Sequence, residues 1–198
     1  MCLLTEAIRV ENKKVCNLEY HQARFDLTRE KLFGLKERII LADAIQLPGD
    51  INNSSYKCKI VYSEQIHSVD FVLYEKRLPK TIRLVYDDMI DYSFKYEDRE
   101  RLKNLVESSG ADEVVIVKNG KITDTSRSNI VLKKGNKYIT PTTYLLNGTM
   151  RKKMLVENQI YEEDVSVESL FTYEKLFLIN AMLNLENQPG FPISEIKK

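Results

Sequence analysis

Tryptophan is absent from this chain of 198 residues, and cysteine and histidine are scarce. The three cysteines, Cys2, Cys16 and Cys58, are odd in number and no two are spaced as Cys-x-x-Cys. A disulfide framework or a zinc site is therefore not expected, and the cysteines are predicted to be reduced. With only His21 and His67 present, a histidine-based metal centre is also disfavoured.

The chain also lacks an excess of either charge and any long apolar run. Its 30 basic and 29 acidic residues give a formal net charge of +1, which disfavours nucleic acid as a partner because binding needs a dense basic face. No apolar stretch approaches the roughly 20 residues that cross a bilayer. Glu6 and Arg9 interrupt the beginning of the chain where a signal peptide is apolar. The sequence predicts a soluble, cytoplasmic protein without a membrane partner.

The pattern of apolar residues predicts an α+β protein made of two small domains. We expect an α+β domain over residues 1–90 and a strand-rich domain over 91–198, with the connection near 87–91. Helices are predicted over 19–33, 35–45, 98–109, 148–158 and 166–172. Strands are predicted over 3–10, 15–18, 56–62, 68–75, 81–86, 113–118, 121–124, 129–133, 137–140, 160–165 and 176–183.

Three short stretches carry side chains with recognisable chemistry. Lys95, in Tyr-Ser-Phe-Lys-Tyr-Glu-Asp-Arg (92–99), offers an amine that can capture an aldehyde. The stretch Asp124-Thr-Ser-Arg-Ser-Asn129 offers a carboxylate that can pair with a ring nitrogen. The stretch Gly148-Thr-Met-Arg151 is typical of a helix start, whose backbone N–H groups suit a phosphate. Each stretch alone is as well explained by an exposed lysine, a polar loop and an ordinary helix start.

Their order along the chain is more specific than any of them alone. A lysine is followed by acid-x-x-x-x-Asn, then by Thr140-Pro141, then by Gly-x-x-Arg; His21-x-x-Arg24 lies upstream and Asn180-Ala-Met downstream. Over nearly its whole length the chain resembles the class IV aminotransferases, the fold type IV enzymes that use pyridoxal phosphate. The resemblance implies that family's two-domain α+β architecture, with the cofactor in the cleft between the domains.

The resemblance also assigns roles to individual residues. It implies that Lys95 is the catalytic residue that carries the aldehyde of pyridoxal 5'-phosphate. Asp124, where the family usually has Glu, would pair with the pyridine nitrogen, and Asn129 would orient the acid or the turn. The cofactor phosphate would be held by Arg24 and by the start of the helix predicted over 148–158, with help from the strand at 180–181. The residues expected to bind the phosphate are Arg24, Gly148, Thr149, Met150, Asn180 and Ala181. A homodimer and a small-molecule amino substrate are also implied.

The activity within the family is left open by the sequence. Gly148-Thr-Met-Arg151 and Asn180-Ala-Met182 are similar to 4-amino-4-deoxychorismate lyases, which make 4-aminobenzoate and pyruvate for folate synthesis. An amino-acid transaminase of the branched-chain or D-amino acid type is the alternative, and a non-catalytic relative of the same fold is another. The arginine that would bind the substrate carboxylate is likewise open among Arg9, Arg83 and Arg127.

Overall fold

The computed structural model describes residues 2–198 and divides them into two compact units. The first unit comprises the chain up to Lys76 together with Phe94–Asp98, and the second comprises Arg77–Ser93 and Arg99–Lys198. Whether residues 1–90 and 91–198 each fold as an independent domain, as the sequence predicts, stays a prediction. Among the described residues, no helix is both long enough and apolar enough to span a bilayer.

The first unit is a four-stranded antiparallel sheet with one long helix packed against it. Its strands are β1 (Leu4–Glu11), β2 (Lys14–Val15), β3 (Tyr56–Tyr62) and β4 (Ile66–Leu73), and its helices are α1 (Leu18–Phe33) and α2 (Leu41–Ala44). The sheet order is β2-β1-β3-β4. Leu4, Ile8 and Ile60 on the sheet form one buried cluster with Phe25 of α1, so burial of apolar surface holds the helix on the sheet.

The predicted helix over 35–45 is wrong except for the single turn of α2. Gly34 ends α1 with φ +71°, and side chains of α1 then bind the backbone that follows. Gln22 donates to the Ile39 carbonyl and accepts from the Leu41 amide, at 2.8 and 2.7 Å, while Arg29 donates to the Glu37 carbonyl. These bonds satisfy backbone groups that a helix would otherwise pair internally.

The segment that contains Lys95 belongs to the first unit, whereas the sequence placed this lysine in the second domain. The reason is a short strand-like pairing beside the beginning of β1. The Thr5 amide donates to the Lys95 carbonyl and the Glu97 amide donates to the Leu3 carbonyl, both at 2.9 Å, and Leu4 and Tyr96 form an antiparallel bridge. β2 pairs only with the far end of β1, so this part of the β1 edge is available for Lys95 and its neighbours.

The second unit holds two sheets and a larger apolar core. Its strands are β5 (Ile82–Tyr86), β6 (Glu113–Lys118), β7 (Lys121–Thr125), β8 (Asn129–Lys134), β9 (Lys137–Pro141), β10 (Tyr161–Glu163), β11 (Lys175–Ile179) and β12 (Phe191–Pro192). Its helices are α3 (Glu100–Ser109), α4 (Thr149–Val156), α5 (Val167–Leu170) and a 3₁₀ turn at Ile193–Glu195. The sheet orders are β5-β6-β7 and β10-β9-β8-β11-β12.

One predicted strand is longer than the observed one because a side chain ends it early. The predicted strand over 176–183 ends at Ile179, since the Asn180 side-chain oxygen accepts from the Met182 and Leu183 amides and turns the chain. The predicted hairpin turn at Lys118-Asn-Gly-Lys121 is confirmed by positive φ at its two central residues. The predicted cap at Ser166 is confirmed too, with Ser169 as its capping-box partner.

We expect Gly190→Ala to destabilise the protein more than Gly135→Ala or Gly49→Ala. Gly190 has φ +74°, and a Cβ there would lie 2.7 Å from the Cζ atom of Phe177, a buried ring. Backbone strain and overpacking together should cost about 2 to 4 kcal/mol. Gly135→Ala, with positive φ but open space, should cost about 1 kcal/mol. Gly49→Ala is the control, because Gly49 has neither a positive φ nor a neighbour that a Cβ would meet. Urea unfolding measures the loss of stability in all three variants. Equal losses in Gly190→Ala and Gly135→Ala would contradict the predicted clash with Phe177.

Candidate active site

In the first unit, the predicted phosphate ligand Arg24 is bound to a buried carboxylate. The Nε and Nη2 atoms of Arg24 donate to the two oxygens of Glu6 at 2.8 and 2.5 Å. The Nδ1 atom of His21 lies 2.6 Å from Glu6 Oε2. Glu6 is fully buried on β1, and His21 is almost fully buried on α1. The His-x-x-Arg pattern places both side chains one helical turn apart, on the face of α1 that meets the sheet.

The charge of Glu6 is maintained by its partners against the effect of burial. Burial alone would raise the pKa of this carboxyl, but the charge of Arg24 and the hydrogen bonds from His21 and Arg24 outweigh it and lower the pKa to about 2. Arg24 and His21 are therefore positioned by an ionised carboxylate at neutral pH. The sequence analysis gave Glu6 no role in the site, whereas the buried pairing shows that it orients Arg24.

In the second unit, Asp124 is a buried acceptor of three hydrogen bonds. Its Oδ2 atom accepts from the backbone amides of Leu145 and Leu146 at 3.0 and 2.9 Å, and its Oδ1 atom accepts from Asn129 Nδ2 at 2.8 Å. Burial raises the pKa of Asp124 to about 6, although the hydrogen bonds and the charge of Arg151 act in the opposite direction. Asn129 therefore contacts the acid directly, and its role at a cofactor site stays a prediction.

Asn129 connects Asp124 to the start of α4. Besides its bond to Asp124, its Nδ2 atom donates to the Leu146 carbonyl at 2.8 Å. Its side-chain oxygen lies so close to Gly148 that a Cβ at that position would be 1.9 Å from it. Any larger residue at 148 would displace Asn129. Gly148 is therefore required by the packing of Asn129, a role that the Gly-x-x-Arg pattern alone did not reveal.

The remaining predicted cofactor residues of the second unit are buried or half-buried around the start of α4 and the end of β11. Thr149 and Met150 open α4 and are buried, and the Met150 side chain packs with Val131 and Phe177, so any contact with a phosphate would come from its amide. The first amides of an α-helix have no acceptor within the helix, which makes them suitable for an anion. Asn180 and Ala181 are half-buried at the turn after β11.

Arg151, the last residue of the Gly-x-x-Arg pattern, has a structural role in this chain. It is almost fully buried, and its Nη2 atom donates to the Pro141 carbonyl at 3.0 Å and to Glu162 at 2.5 Å. Its guanidinium carbon lies 4.4 Å from the centre of the Tyr144 ring. These contacts tie α4 to the end of β9 and to β10.

The donor set suits pyridoxal phosphate in its charge and its polarity. The Oδ1 atom of Asp124 accepts one hydrogen bond, and a carboxylate oxygen can accept two. The raised pKa of Asp124 indicates that nearby positive charge does not fully compensate the burial of its negative charge. A protonated pyridine nitrogen beside Asp124 would supply positive charge of this kind. Taken unit by unit, Arg24 in the first unit has a guanidinium and the start of α4 in the second unit has backbone amides, and both kinds of donor suit a phosphate.

Comparison with known proteins identifies the family. Residues 93–196 match the class IV amino-transferase family. An uncharacterised protein of Haemophilus influenzae strain Rd is 36% identical over 185 residues, which cover 92% of this chain and 98% of that protein. A provisionally assigned 4-amino-4-deoxychorismate lyase from Haemophilus somnus 129PT, known from its crystal structure, is 32% identical with a TM-score of 0.87, covering 93% of this chain and 98% of that one.

A more distant structure shows the same fold. A provisionally assigned amino-acid aminotransferase from Mesorhizobium loti is 20% identical, with a TM-score of 0.77 over 100% of this chain and 99% of that one. These comparisons confirm the predicted α+β fold and the resemblance to the class IV aminotransferases. The chain belongs to the class IV amino-transferase family, the fold type IV enzymes that depend on pyridoxal phosphate.

We expect Glu6→Gln to destabilise the protein at neutral pH and to have much less effect in acid. The pKa of about 2 in the folded protein lies below the ordinary value of 4.5 for this carboxyl. The ionised carboxylate therefore stabilises the fold above pH 4.5, and this stabilisation is lost as the pH falls towards 2. A loss of about 3 kcal/mol at pH 7 is expected. Urea unfolding of both proteins at pH 7 and at pH 3 measures the difference.

The control for this experiment is Glu11→Gln on the same strand. The Glu11 side chain is 42% exposed and lies 3.6 Å from Arg9, so its replacement should change stability by less than about 1 kcal/mol at either pH. A loss in Glu6→Gln that is equally large at pH 3 and pH 7 would contradict the assigned role of the charge.

Proposed function

We propose that this enzyme is a 4-amino-4-deoxychorismate lyase, which releases 4-aminobenzoate and pyruvate for folate synthesis in the cytoplasm. The observation that carries the proposal is the pair of stretches Gly148-Thr-Met-Arg151 and Asn180-Ala-Met182. Both resemble the lyases, and both stand at the start of α4 and the end of β11, where the second unit offers its anion donors. The similarity to the Haemophilus somnus protein, over nearly the full length of both chains, supports the same activity.

In this proposal Lys95 is the catalytic residue. Bound pyridoxal phosphate supplies an electron-withdrawing ring that stabilises negative charge on the substrate carbon next to the amine. Lys95 would hold the cofactor aldehyde before the substrate binds. It would then take up the proton from the ring carbon that bears the amine, while the C–O bond between the ring and the enolpyruvyl group breaks and the ring becomes aromatic. A proton delivered to the methylene carbon of the released enolpyruvate would give pyruvate. Its backbone, fixed beside Thr5 of β1, restricts where the amine can reach.

The other proposed residues hold the cofactor. Arg24, oriented by Glu6, would bind the phosphate together with Thr149 and the Met150 amide. Asp124 would accept from the protonated pyridine nitrogen, with Asn129 fixing the direction of its carboxylate. Asp is one methylene shorter than the family's usual Glu, and the bonds from Leu145 and Leu146 already fix the position of its Oδ2 atom. Only the Oδ1 side of Asp124 is therefore assigned to the ring.

We expect Lys95→Ala to lose the visible absorbance band of protein-bound pyridoxal phosphate and to slow turnover by about a hundredfold to ten-thousandfold. The removal of a proton-transfer group causes the rate loss. The matched control is Lys57→Ala, a half-buried lysine of β3 in the same unit, which should keep both the band and the rate. Near wild-type turnover in Lys95→Ala would refute the assignment.

An amino-acid transaminase is the second candidate, because the fold is shared with the aminotransferase from Mesorhizobium loti. The two activities differ in what the holoenzyme does with an amino donor alone. A transaminase converts the bound aldehyde to the amine form when D-alanine, L-alanine or a branched-chain amino acid is added, and the visible band disappears. We expect the band to persist with these donors, and 4-aminobenzoate and pyruvate to form in equal amounts from aminodeoxychorismate.

We also propose that the active form is a homodimer, as the family resemblance implies. β4 is an edge strand of the first sheet, and Val72 and Leu73 on it are 53% and 54% exposed. An exposed apolar edge strand is a common site of association. Light scattering should give a mass of about 46 kDa, twice the 23.1 kDa of the chain. A mass near 23 kDa at micromolar concentration, with activity retained, contradicts the dimer.

A further inference from the structure

Arg127 is unusual in the connection between β7 and β8. From Ile122 to Leu132 every residue is buried except Arg127, which is exposed. The chain turns tightly there, since the Thr125 amide donates to the Ser128 carbonyl at 2.8 Å. Asp124 precedes the turn and Asn129 follows it, so the exposed guanidinium is carried by a turn that both candidate cofactor residues flank.

Side chains from three other parts of the second unit fix the backbone of this turn. Glu113 at the start of β6 accepts from the Ser126 amide at 3.0 Å. Arg99 donates to the Ser126 carbonyl. Asn180, after β11, donates to the Arg127 carbonyl at 3.4 Å and to the Ser128 hydroxyl at 2.9 Å. The attachment point of the Arg127 side chain is therefore held in a defined place.

The positive charge at the tip of the turn has no partner among the residues that the structure describes. Among residues 2–198, the Arg127 guanidinium has no hydrogen bond, ion pair or aromatic ring contact, whereas its backbone N–H and C=O are both bonded. Of the other arginines considered for the substrate carboxylate, Arg9 lies beside Glu11 at 3.6 Å, and Arg83 is half-buried on β5. Only Arg127 combines an unpaired charge with a position between Asp124 and Asn129.

From this placement we infer that Arg127 binds a carboxylate of the substrate, which makes it a specificity-determining residue. The inference rests on the proposed function, since it takes Asp124 as the residue that meets the cofactor ring. A guanidinium can donate two parallel hydrogen bonds to a carboxylate. Aminodeoxychorismate carries one carboxylate that remains in 4-aminobenzoate and another that leaves in pyruvate, and Arg127 selects for a substrate that has such a group.

The test compares ligands that differ only in the carboxylate. Inhibition constants are measured on the holoenzyme for 4-aminobenzoate against aniline, and for pyruvate against acetone, in the wild type, Arg127→Gln and Arg127→Lys. In the wild type we expect the carboxylate to improve binding by about tenfold to a hundredfold in at least one pair, as a charge-assisted hydrogen bond does. In Arg127→Gln that preference should fall close to one while aniline and acetone bind as before, and Arg127→Lys should be intermediate.

Two controls separate this role from others. The matched variant is Arg38→Gln, whose side chain is 65% exposed in the first unit; it should keep the wild-type preference. Titration with pyridoxal phosphate distinguishes a substrate carboxylate from the cofactor phosphate, and the cofactor affinity of Arg127→Gln should stay within about twofold of wild type. A cofactor affinity that falls in Arg127→Gln overturns the inference, because the arginine would then bind the phosphate.

The remaining outcomes distinguish the inference from the function on which it rests. If the wild type turns over aminodeoxychorismate and Arg127→Gln keeps the full carboxylate preference in both pairs, the inference about Arg127 is wrong while the lyase stands. If the wild type shows neither a cofactor band nor turnover, the proposed function is wrong, and the inference is withdrawn with it.

Discussion

The hydrogen bonds of the buried Asp124 carboxylate organise the candidate residues of the second unit. Through Oδ2 it fixes the backbone at Leu145 and Leu146, just before α4 begins. Through Oδ1 it fixes Asn129, whose side-chain oxygen in turn requires a glycine at 148. One side chain at the end of β7 therefore sets the entry into β8 and the approach to the N-terminal end of α4. Replacing Asp124 would remove the shared acceptor of the Leu145 and Leu146 amides and of the Asn129 side chain at once.

The buried acids Glu6 and Asp124 differ in how the surrounding groups compensate the burial of a negative charge. Glu6 has a guanidinium and an imidazole within hydrogen-bond distance, and its pKa is lowered to about 2. Asp124 has only neutral donors in direct contact, and burial raises its pKa to about 6. An acid of the first kind is a structural anchor at any physiological pH. An acid of the second kind is stabilised in its ionised form by a cation that binds next to it, which is the property that a pyridinium partner needs.

Much of the fold was predictable because the strands and the long helices follow from local patterns of apolar residues. The observed β3 and β6 match their predicted bounds, and the hairpin between β6 and β7 followed from Asn119 and Gly120 alone. The prediction was wrong for residues 35–40, where the side chains of Gln22 and Arg29 bind the backbone from a distance of many residues. Such bonds leave no periodic signal, so the helix-like composition of 35–45 was misleading. The pairing of Lys95 with β1 likewise depends on an edge that only the folded sheet defines.

The candidate site was predictable to the extent that its residues also stabilise the fold. Gly148 is tied to Asn129 by packing, Asn129 to Asp124 by a hydrogen bond, and Arg151 to Pro141 and Glu162 by its guanidinium. A sequence pattern that preserves these contacts preserves the fold around the site, and for this reason it identifies the family. The side chain of Arg127 makes no such contact, and the position of this residue is fixed by the hydrogen bonds of its backbone. A residue of that kind can change without disturbing the fold, so family membership does not predict it. Substrate choice is therefore the property that the motifs describe least well, and the residues that set it have to be found from exposure and unpaired charge in the individual chain.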